Sequence, residues 1–475
     1  MEIQLGAIFW IFSGFFYLIC TLYYGLELIP AYFRHRNRFL NPEIPNDEKI
    51  QSILRAKKQR FPAIKFQITT RGNEVDVVKR GIQSIAALAR NSKFISRNIE
   101  LLIVTDNPDE LKLFSEYIRT LKISFQTEVI VVPQEYQTRN NTLLKARSLQ
   151  YSLEFRNSKK SSLQDLRSFI FYLDAESTIN EKNFRRIVYS IIVSTNKKIF
   201  EGPIIYPHKY FKANILSRRM EATRPFHCHH CVQVMMNPPP IHLHGSNLLV
   251  EESLVNEITW DFGRYKEQPI LAEDLLFGLK AYSKYGKDIF SWHGGQISEQ
   301  PPFSVRESIN ARLRWVSGAW QAISLIKKDS FFSQQPWKVR EMILFRLRLR
   351  IVTHSLSFFA SLFLWIAILF FLFPSLFSSL IIVPSQLPRN FRVLQGLISL
   401  LFFFPGTIFW IFGILNGLSK NIKPLNLTWK RQILEYGKIM VVTPIAASIE
   451  AFCALSATVR WIIGKPYNSW YVTSK

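Results

Sequence analysis

Phe169–Ser177 reads FIFYLDAES: five apolar residues with strong β propensity run straight into Asp174, and a second carboxylate follows at Glu176. A strand this uniformly apolar is buried on both faces, as the parallel strands of α/β sheets are. Open α/β sheets bind ligands in the crevice beyond the carboxyl ends of their strands, which is where this sequence places its two acids. Carboxylate oxygens there suit Mg²⁺ or Mn²⁺, and such a cation can neutralise a departing diphosphate. The plainer reading of D-x-E is a helix cap, with Asp174 or Ser177 opening the next helix.

Outward from this strand, short β runs alternate with helical periodicity, the pattern of βαβ units in a doubly wound, mostly parallel sheet. Strands are expected at Ile64–Thr70, Ile99–Thr105, Glu128–Val132 and Phe169–Asp174, with helices at Val75–Leu88 and Thr142–Phe155 and a polar loop at Asn157–Ser162. Further on, Ile204–Tyr206 and His242–Val250 read as strands, Glu273–Tyr285 and Val305–Leu325 as helices, and Arg224–Pro240 as irregular, ending in three prolines. The strand ends carry polar residues: Thr70, Arg71 and Glu74 after the first, Asp106 after the second, Asp174 and Glu176 after the fourth. In a doubly wound sheet these ends share one edge. Asp106 there can accept hydrogen bonds from a base or ribose.

Glu273–Asp274 opens an apolar helix, where an acid is ordinarily a dipole partner or cap. The sharper reading makes Asp274 a general base that takes a proton from an acceptor hydroxyl. Arg312, Arg314 and Trp315 share a helix beside Gly318; the arginine fork suits a diphosphate and the indole can stack on a sugar, or the group is an interfacial helix with snorkelling arginines. His227, Cys228, His229, His230, Cys231, His242 and His244 form the densest group of soft ligands. C-x-x-C with two histidines could hold structural zinc, whereas a substrate-facing loop explains histidines equally well. His293, after the strand Ile289–Trp292, either completes the metal shell of Asp174 and Glu176 or is a polar loop residue.

Apolar content gathers at the two ends of the 475-residue chain. Leu5–Tyr24 carries no charged residue and is long enough to cross a bilayer. Arg34, His35, Arg36 and Arg38 follow it at once, which places the middle of the chain in the cytosol. A cleaved signal peptide is the competing reading, but Met1–Glu2 supplies no basic start and no small-residue cleavage site precedes Arg34. Ile351–Phe373 and Val393–Leu418 are also long enough to span. Ile439–Val459 contains Glu450, costly in lipid unless paired or facing protein, and the basic flanks Ser419–Arg431 and Gly464–Lys475 favour a re-entrant or interfacial last segment. The formal net charge of +25 fits cytoplasmic faces near anionic lipid, or an anionic substrate such as a nucleotide sugar. Nucleic acid is not expected as a partner, since the basic residues are scattered and no common nucleic-acid module is present. Four cysteines in a mostly cytosolic chain do not make a disulfide framework.

QITTRGNE, LLIVTDNPDE, KARSLQYSLE, YLDAES, HGSNLLV, AEDLLFG and RLRWVSG occur in the order and rough spacing of the inverting family-2 glycosyltransferases with a GT-A fold. The chain resembles most the Egghead-type β-1,4-mannosyltransferases, through TTRG, VVPQEYQTRNNTLLKARSLQYSLE, and EQPPFS followed by RW; SIEAFCAL and YVTSK match more loosely. This resemblance, over roughly residues 62–321, implies an α/β GT-A domain with a Rossmann-like, mostly parallel sheet at 62–345. An N-terminal membrane helix (1–33), a basic linker (34–61) and a C-terminal membrane region with two to three helices (346–475) would surround it. It implies donor contacts from Thr70, Arg71, Glu74, Asp106, Lys145, Asp174, Arg314 and Trp315, and acceptor contacts from Gly245, Ser246, Asn247 and Trp315. Asp174 and Glu176, with His293, would hold Mg²⁺ or Mn²⁺; Asp274, beside Glu273, would be the catalytic base. Ala311 stands where the family's Q-x-x-R-W motif has Gln, which speaks against a polymer-holding role.

The resulting expectation is a membrane-bound inverting hexosyltransferase that moves mannose or glucose from GDP-mannose or UDP-glucose to a lipid or lipid-linked saccharide. Its catalytic domain would face the cytosol, at a bacterial inner membrane or at the endoplasmic reticulum or Golgi. A processive polysaccharide synthase and a non-catalytic membrane scaffold are the alternatives.

Overall fold

The computed structural model describes residues 5–40, 44–72, 75–91, 96–159, 166–237, 239–372 and 404–467. Four strands follow in chain order, β1 (Ala63–Thr70), β2 (Ile99–Thr105), β3 (Gln126–Val131) and β4 (Ser168–Asp174). Three short strands extend the same sheet: β5 (Ile199–Glu201), β7 (Leu248–Glu251) and β10 (Phe290–Trp292). Two small pairs lie outside it, β6 (Ile204–Ile205) with β11 (Ile297–Ser298) and β8 (Arg264–Tyr265) with β9 (Gln268–Pro269). The seven-stranded sheet runs β10-β5-β7-β4-β1-β2-β3. It is mostly parallel, and β7 alone runs against both of its neighbours.

Alternation along β4 divides the core. Phe169, Phe171 and Leu173 point to one face, where helices Val75–Asn91 and Glu181–Val193 bring Val78, Ile82, Phe184 and Ile187. Ile170 and Tyr172 point to the other, against Leu149, Trp260, Phe277 and Ile323. Each such side chain, fully buried, stabilises the fold by about 1.5–3 kcal/mol, so β4 anchors the position of the acids that follow it. The register sets Thr69 beside Asp174 and Thr70 beside Thr105, which brings the ends of β1, β2 and β4 level.

The helix after β4 begins at Glu181, and the Asn180 side chain accepts the Asn183 N–H at 2.9 Å. Neither Asp174 nor Ser177 is therefore its cap, and the plainer reading of D-x-E falls. Helix Val305–Lys328 starts with a reciprocal capping box between Ser304 and Glu307, which fixes the turn ahead of Arg314 and Trp315.

Three stretches differ from expectation. Arg224–Met236 is a regular helix rather than irregular chain: Pro225 sits in the first turn, where no N–H is needed, and Phe226, Cys228, Cys231, Val232 and Met235 are buried. Of the expected strand His242–Val250 only the last three residues pair, in a strand that runs Leu248–Glu251, and Asn247 takes φ 54° just before it. The last apolar segment is one continuous helix, Trp429–Ile462, not a re-entrant loop. Glu450 does not break it, since both its carboxylate oxygens are engaged: Oε2 by Arg219 at 3.1 Å and Oε1 by Arg312 at 2.7 Å.

Among the described residues, Gly14–His35 and Trp429–Ile462 are long and apolar enough to cross a membrane. The expected crossings Ile351–Phe373 and Val393–Leu418 fall partly outside the described residues. Helices Leu5–Leu40 and Trp337–Leu372 each run across an expected division of the chain, after residue 33 and after residue 345, so apolar and α/β parts are joined by continuous helix. The two pack together through Cys20, whose Sγ lies 3.6 Å from the Thr353 carbonyl, and through the rings of Tyr24 and His354.

Candidate active site

Asp174 ends β4 with its side chain about one-third exposed, and Lys145 Nζ lies 2.6 Å from its Oδ1. Lys145 comes from the first turn of helix Leu144–Ser158 and also donates to the Gly245 carbonyl at 3.2 Å. Burial opposes its charge, yet Asp174, Glu273 and Asp274 together hold its pKa above the ordinary lysine value. The antiparallel entry of β7 sets Ser246 against Asp174, whose backbone N–H donates to Ser246 Oγ at 3.2 Å.

Asp274 lies in the first turn of helix Glu273–Tyr285, with Oδ1 accepting the Leu275 N–H at 2.8 Å. A β-carbon on Gly245 would stand 3.1 Å from Asp274 Oδ2 and 3.2 Å from Lys145 Nζ. The Gly245 backbone thus closes in on both groups, and the absence of a side chain leaves the acid reachable. Burial, then repulsion from Glu273, pushes the Asp274 pKa up to about 7, against the pull of the Leu275 N–H, Lys145 and Arg314.

One cavity of about 780 Å³ gathers most of the expected residues: Thr70, Arg71, Lys145, Asp174, Glu176, Gly245, Ser246, Glu273, Asp274, Arg314 and Trp315 all line it. Asp106 stands one side chain away, accepting from the lining residue Ser148 at 3.0 Å. Glu74 lies outside the described residues.

Two residues are not brought in. His293 is fully buried, edge-on to Phe171 and so close to Gly202 that any β-carbon there would collide with its ring. It lies behind the sheet's end and outside the cavity lining, which corrects its assignment to the metal shell. Asn247, also fully buried, spends its Nδ2 on the Pro203 and Gly295 carbonyls at 2.8 and 3.0 Å. It ties two loops together and does not face the cavity. Arg312 lines the cavity, but its guanidinium is committed to Glu450 and Glu221. Arg314 and Trp315 are the members of that motif left beside Asp274 and the opening, with the Arg224 guanidinium 4.9 Å over the Trp315 ring.

Sequence reasoning missed Glu299. It follows β11, is buried, and its Oε1 accepts from both Ser177 and Ser246 at 2.7 Å. Burial, with repulsion from Glu176 and Asp174, pushes its pKa up to about 7. The signal was present in EQPPFS, although a single acid between a two-residue strand and two prolines shows nothing of its neighbours. Glu299 thus stands within electrostatic reach of Asp174 and Glu176, and carboxylate oxygens are the ligand type that suits a hard divalent cation.

The architecture and this cavity can be set beside known proteins. The β-1,4-mannosyltransferase egh of Drosophila melanogaster is 24% identical over 269 residues, 56% of this chain and 54% of that one. The β-1,4-mannosyltransferase bre-3 of Caenorhabditis elegans is 23% identical over 282 residues, 57% and 55% of the two chains. The chain thus spans about half the length of the curated relatives it matches. Among solved structures, S. aureus TarS residues 1–349 in complex with UDP aligns over 86% of this chain and 94% of that one at 13% identity, with a TM-score of 0.38. Residues 169–418, from β4 and its acids through the helices that wall the cavity, match the family model described as glycosyl transferase family group 2, and to that family this chain belongs.

Proposed function

We propose that the protein is a membrane-bound inverting glycosyltransferase that moves a hexose, mannose in the first instance, from a nucleotide sugar to a lipid or lipid-linked saccharide. The observation that carries this is the continuity of the cavity. Asp174, Glu176 and Asp274 line the same space as Tyr17, Leu28, Ala360, Phe409 and Trp410, which belong to the apolar helices. A space of this size and lining suits a small ligand, and a glycolipid acceptor presents a sugar head and an apolar tail to just these two kinds of wall. Similarity to β-1,4-mannosyltransferases supports GDP-mannose as donor; UDP-glucose would engage the same acids. The basic run in the last turns of the first apolar helix supports a cytosolic site.

In this reading the Asp274 carboxylate takes the proton of the acceptor hydroxyl as that oxygen bonds to the anomeric carbon. The bond from the anomeric carbon to the diphosphate breaks on the opposite face, so configuration inverts. Lys145 and Arg314 supply fixed positive charge for the leaving diphosphate, and the proton later leaves Asp274 for solvent. Asp174 and Glu176, with Glu299 behind them, would hold Mg²⁺ or Mn²⁺, which when bound adds charge neutralisation at the diphosphate. Thr70 and Arg71, with Asp106 one side chain behind, would border the nucleoside in this reading.

Purified protein in detergent, given lipid extract, Mn²⁺ and a panel of nucleotide sugars, is expected to release GDP from GDP-mannose and to label a lipid-extractable product. Nucleotide released only without a lipid-extractable product, or none at all, overturns the reading. The pH profile gives a separate check. A base must be ionised to act, and the Asp274 pKa of about 7 predicts that kcat/KM rises with pH through about 7, falling about tenfold per unit below it. Glu299 titrates in the same range, so the profile is repeated in Glu299→Gln. The acidic limb persists there if Asp274 is the base and disappears if it belongs to Glu299.

A further inference from the structure

We propose that Cys231, His242, His244 and Glu201 form a zinc site, separate from the crevice acids, that fastens the loop carrying Gly245 and Ser246. Donor atoms of these four residues all lie within 4.8 Å of one another. Cys231 Sγ is 3.0 Å from His242 Nε2 and 3.8 Å from His244 Nε2. Tetrahedral zinc with bonds of about 2.3 Å to sulfur and about 2.0 Å to nitrogen separates those donors by roughly 3.5 Å, midway between the two observed values.

Glu201 provides the independent support. It is fully buried at the end of β5, and its Oε1 lies 2.6 Å from His244 Nδ1 and accepts the His244 backbone N–H at 3.2 Å. His244 Nδ1 makes no hydrogen bond in that contact, so the imidazole stands as a second donor beside the carboxylate of Glu201. Its other oxygen, Oε2, and His242 Nδ1 are buried without a hydrogen-bond partner. A buried anionic oxygen left in that state is costly, and a divalent cation within reach relieves it. Thiolate with imidazole is a donor set that suits zinc.

Of the remaining soft residues, Cys228 lies against Cys231 and within electrostatic reach of His244, as an adjacent thiol, while two histidines point elsewhere. His229 packs against Tyr32 and Phe226, and His230 meets Glu27. The four grouped donors are therefore drawn from a strand, the helix Arg224–Met236 and the loop before β7, with the other thiol of the C-x-x-C beside them. On binding, the Cys231 S–H gives its proton to solvent and the sulfur bonds to the ion. The ion would hold His244, and with it the Gly245 carbonyl that receives Lys145.

The test uses the full chain, with any affinity tag removed and purified without chelator, and elemental analysis by mass spectrometry. About one zinc per chain is expected. Cys231→Ser and His242→Ala lose most of it, while Asp174→Asn and Glu176→Gln keep it, which separates this site from the crevice. Because a variant can lose zinc by misfolding, Co²⁺ is also exchanged into the unaltered protein, where a thiolate-to-cobalt charge-transfer band with tetrahedral visible bands is expected. No stoichiometric zinc in the unaltered protein, full zinc in Cys231→Ser, or a cobalt form without the thiolate band each overturns the proposal.

Discussion

Asp274→Asn is expected to reduce turnover by about 10²–10⁴-fold, the range that a positioned general base contributes, with little change in nucleotide affinity. Asparagine keeps the size of the side chain and an oxygen able to accept the Leu275 N–H, so the start of helix Glu273–Tyr285 remains supported. What it loses is the ability to receive a proton. Glu273 does not substitute, being buried beside it and contributing the repulsion that raises the Asp274 pKa. Nucleoside diphosphate release by the variant, measured beside calorimetric binding of the nucleotide, separates chemistry from binding. Turnover within a fewfold of the unaltered protein would remove Asp274 from the mechanism.

Glu450→Ala should be the most destabilising single change, by about 3–5 kcal/mol, the cost of removing one partner from a buried ion pair. Arg219 is 1% exposed and has Glu450 as its carboxylate partner at 3.1 Å, while Arg312 divides its guanidinium between Glu450 and Glu221. The variant leaves two buried guanidinium groups facing one carboxylate. In a chain of 475 residues a loss of about 3–5 kcal/mol corresponds to a fall of roughly 3–5 °C in melting midpoint, readable by thermal unfolding in detergent. Glu450→Gln, which keeps acceptor geometry without charge, should fall between the two. A melting point for Glu450→Ala within about 1 °C of the parent would mean that water already screens the pair.

How much of this was legible in sequence follows from what each residue depends on. Strands β1, β2 and β4 and helix Glu273–Tyr285 were readable because apolar periodicity is local and their burial matches it. Helix Arg224–Met236 was not: its histidines and cysteines read as loop chemistry, and only packing of Phe226, Val232 and Met235 from behind gives it an apolar face. Asp174 and Asp274 could be named from strand-end and helix-start positions, whereas their meeting at one cavity depends on Gly245 arriving just ahead of the antiparallel strand. Arg312 looked equivalent to Arg314 two positions on; its partner lies 138 residues away, and no local pattern reports that. His293 failed for a related reason, since the slot that swallows it is made by Gly202.

The reversed direction of β7 has a consequence for divergence. Lys145, Asp174 and the residues after β1 reach the crevice from the strand-exit side of the parallel strands, whereas Gly245 and Ser246 reach it on the chain that feeds into β7. The two banks of the crevice are thus written in separate stretches of polypeptide, joined by the Lys145–Gly245 and Asp174–Ser246 hydrogen bonds. Loops on one bank can therefore be remodelled by mutation while the other keeps its geometry.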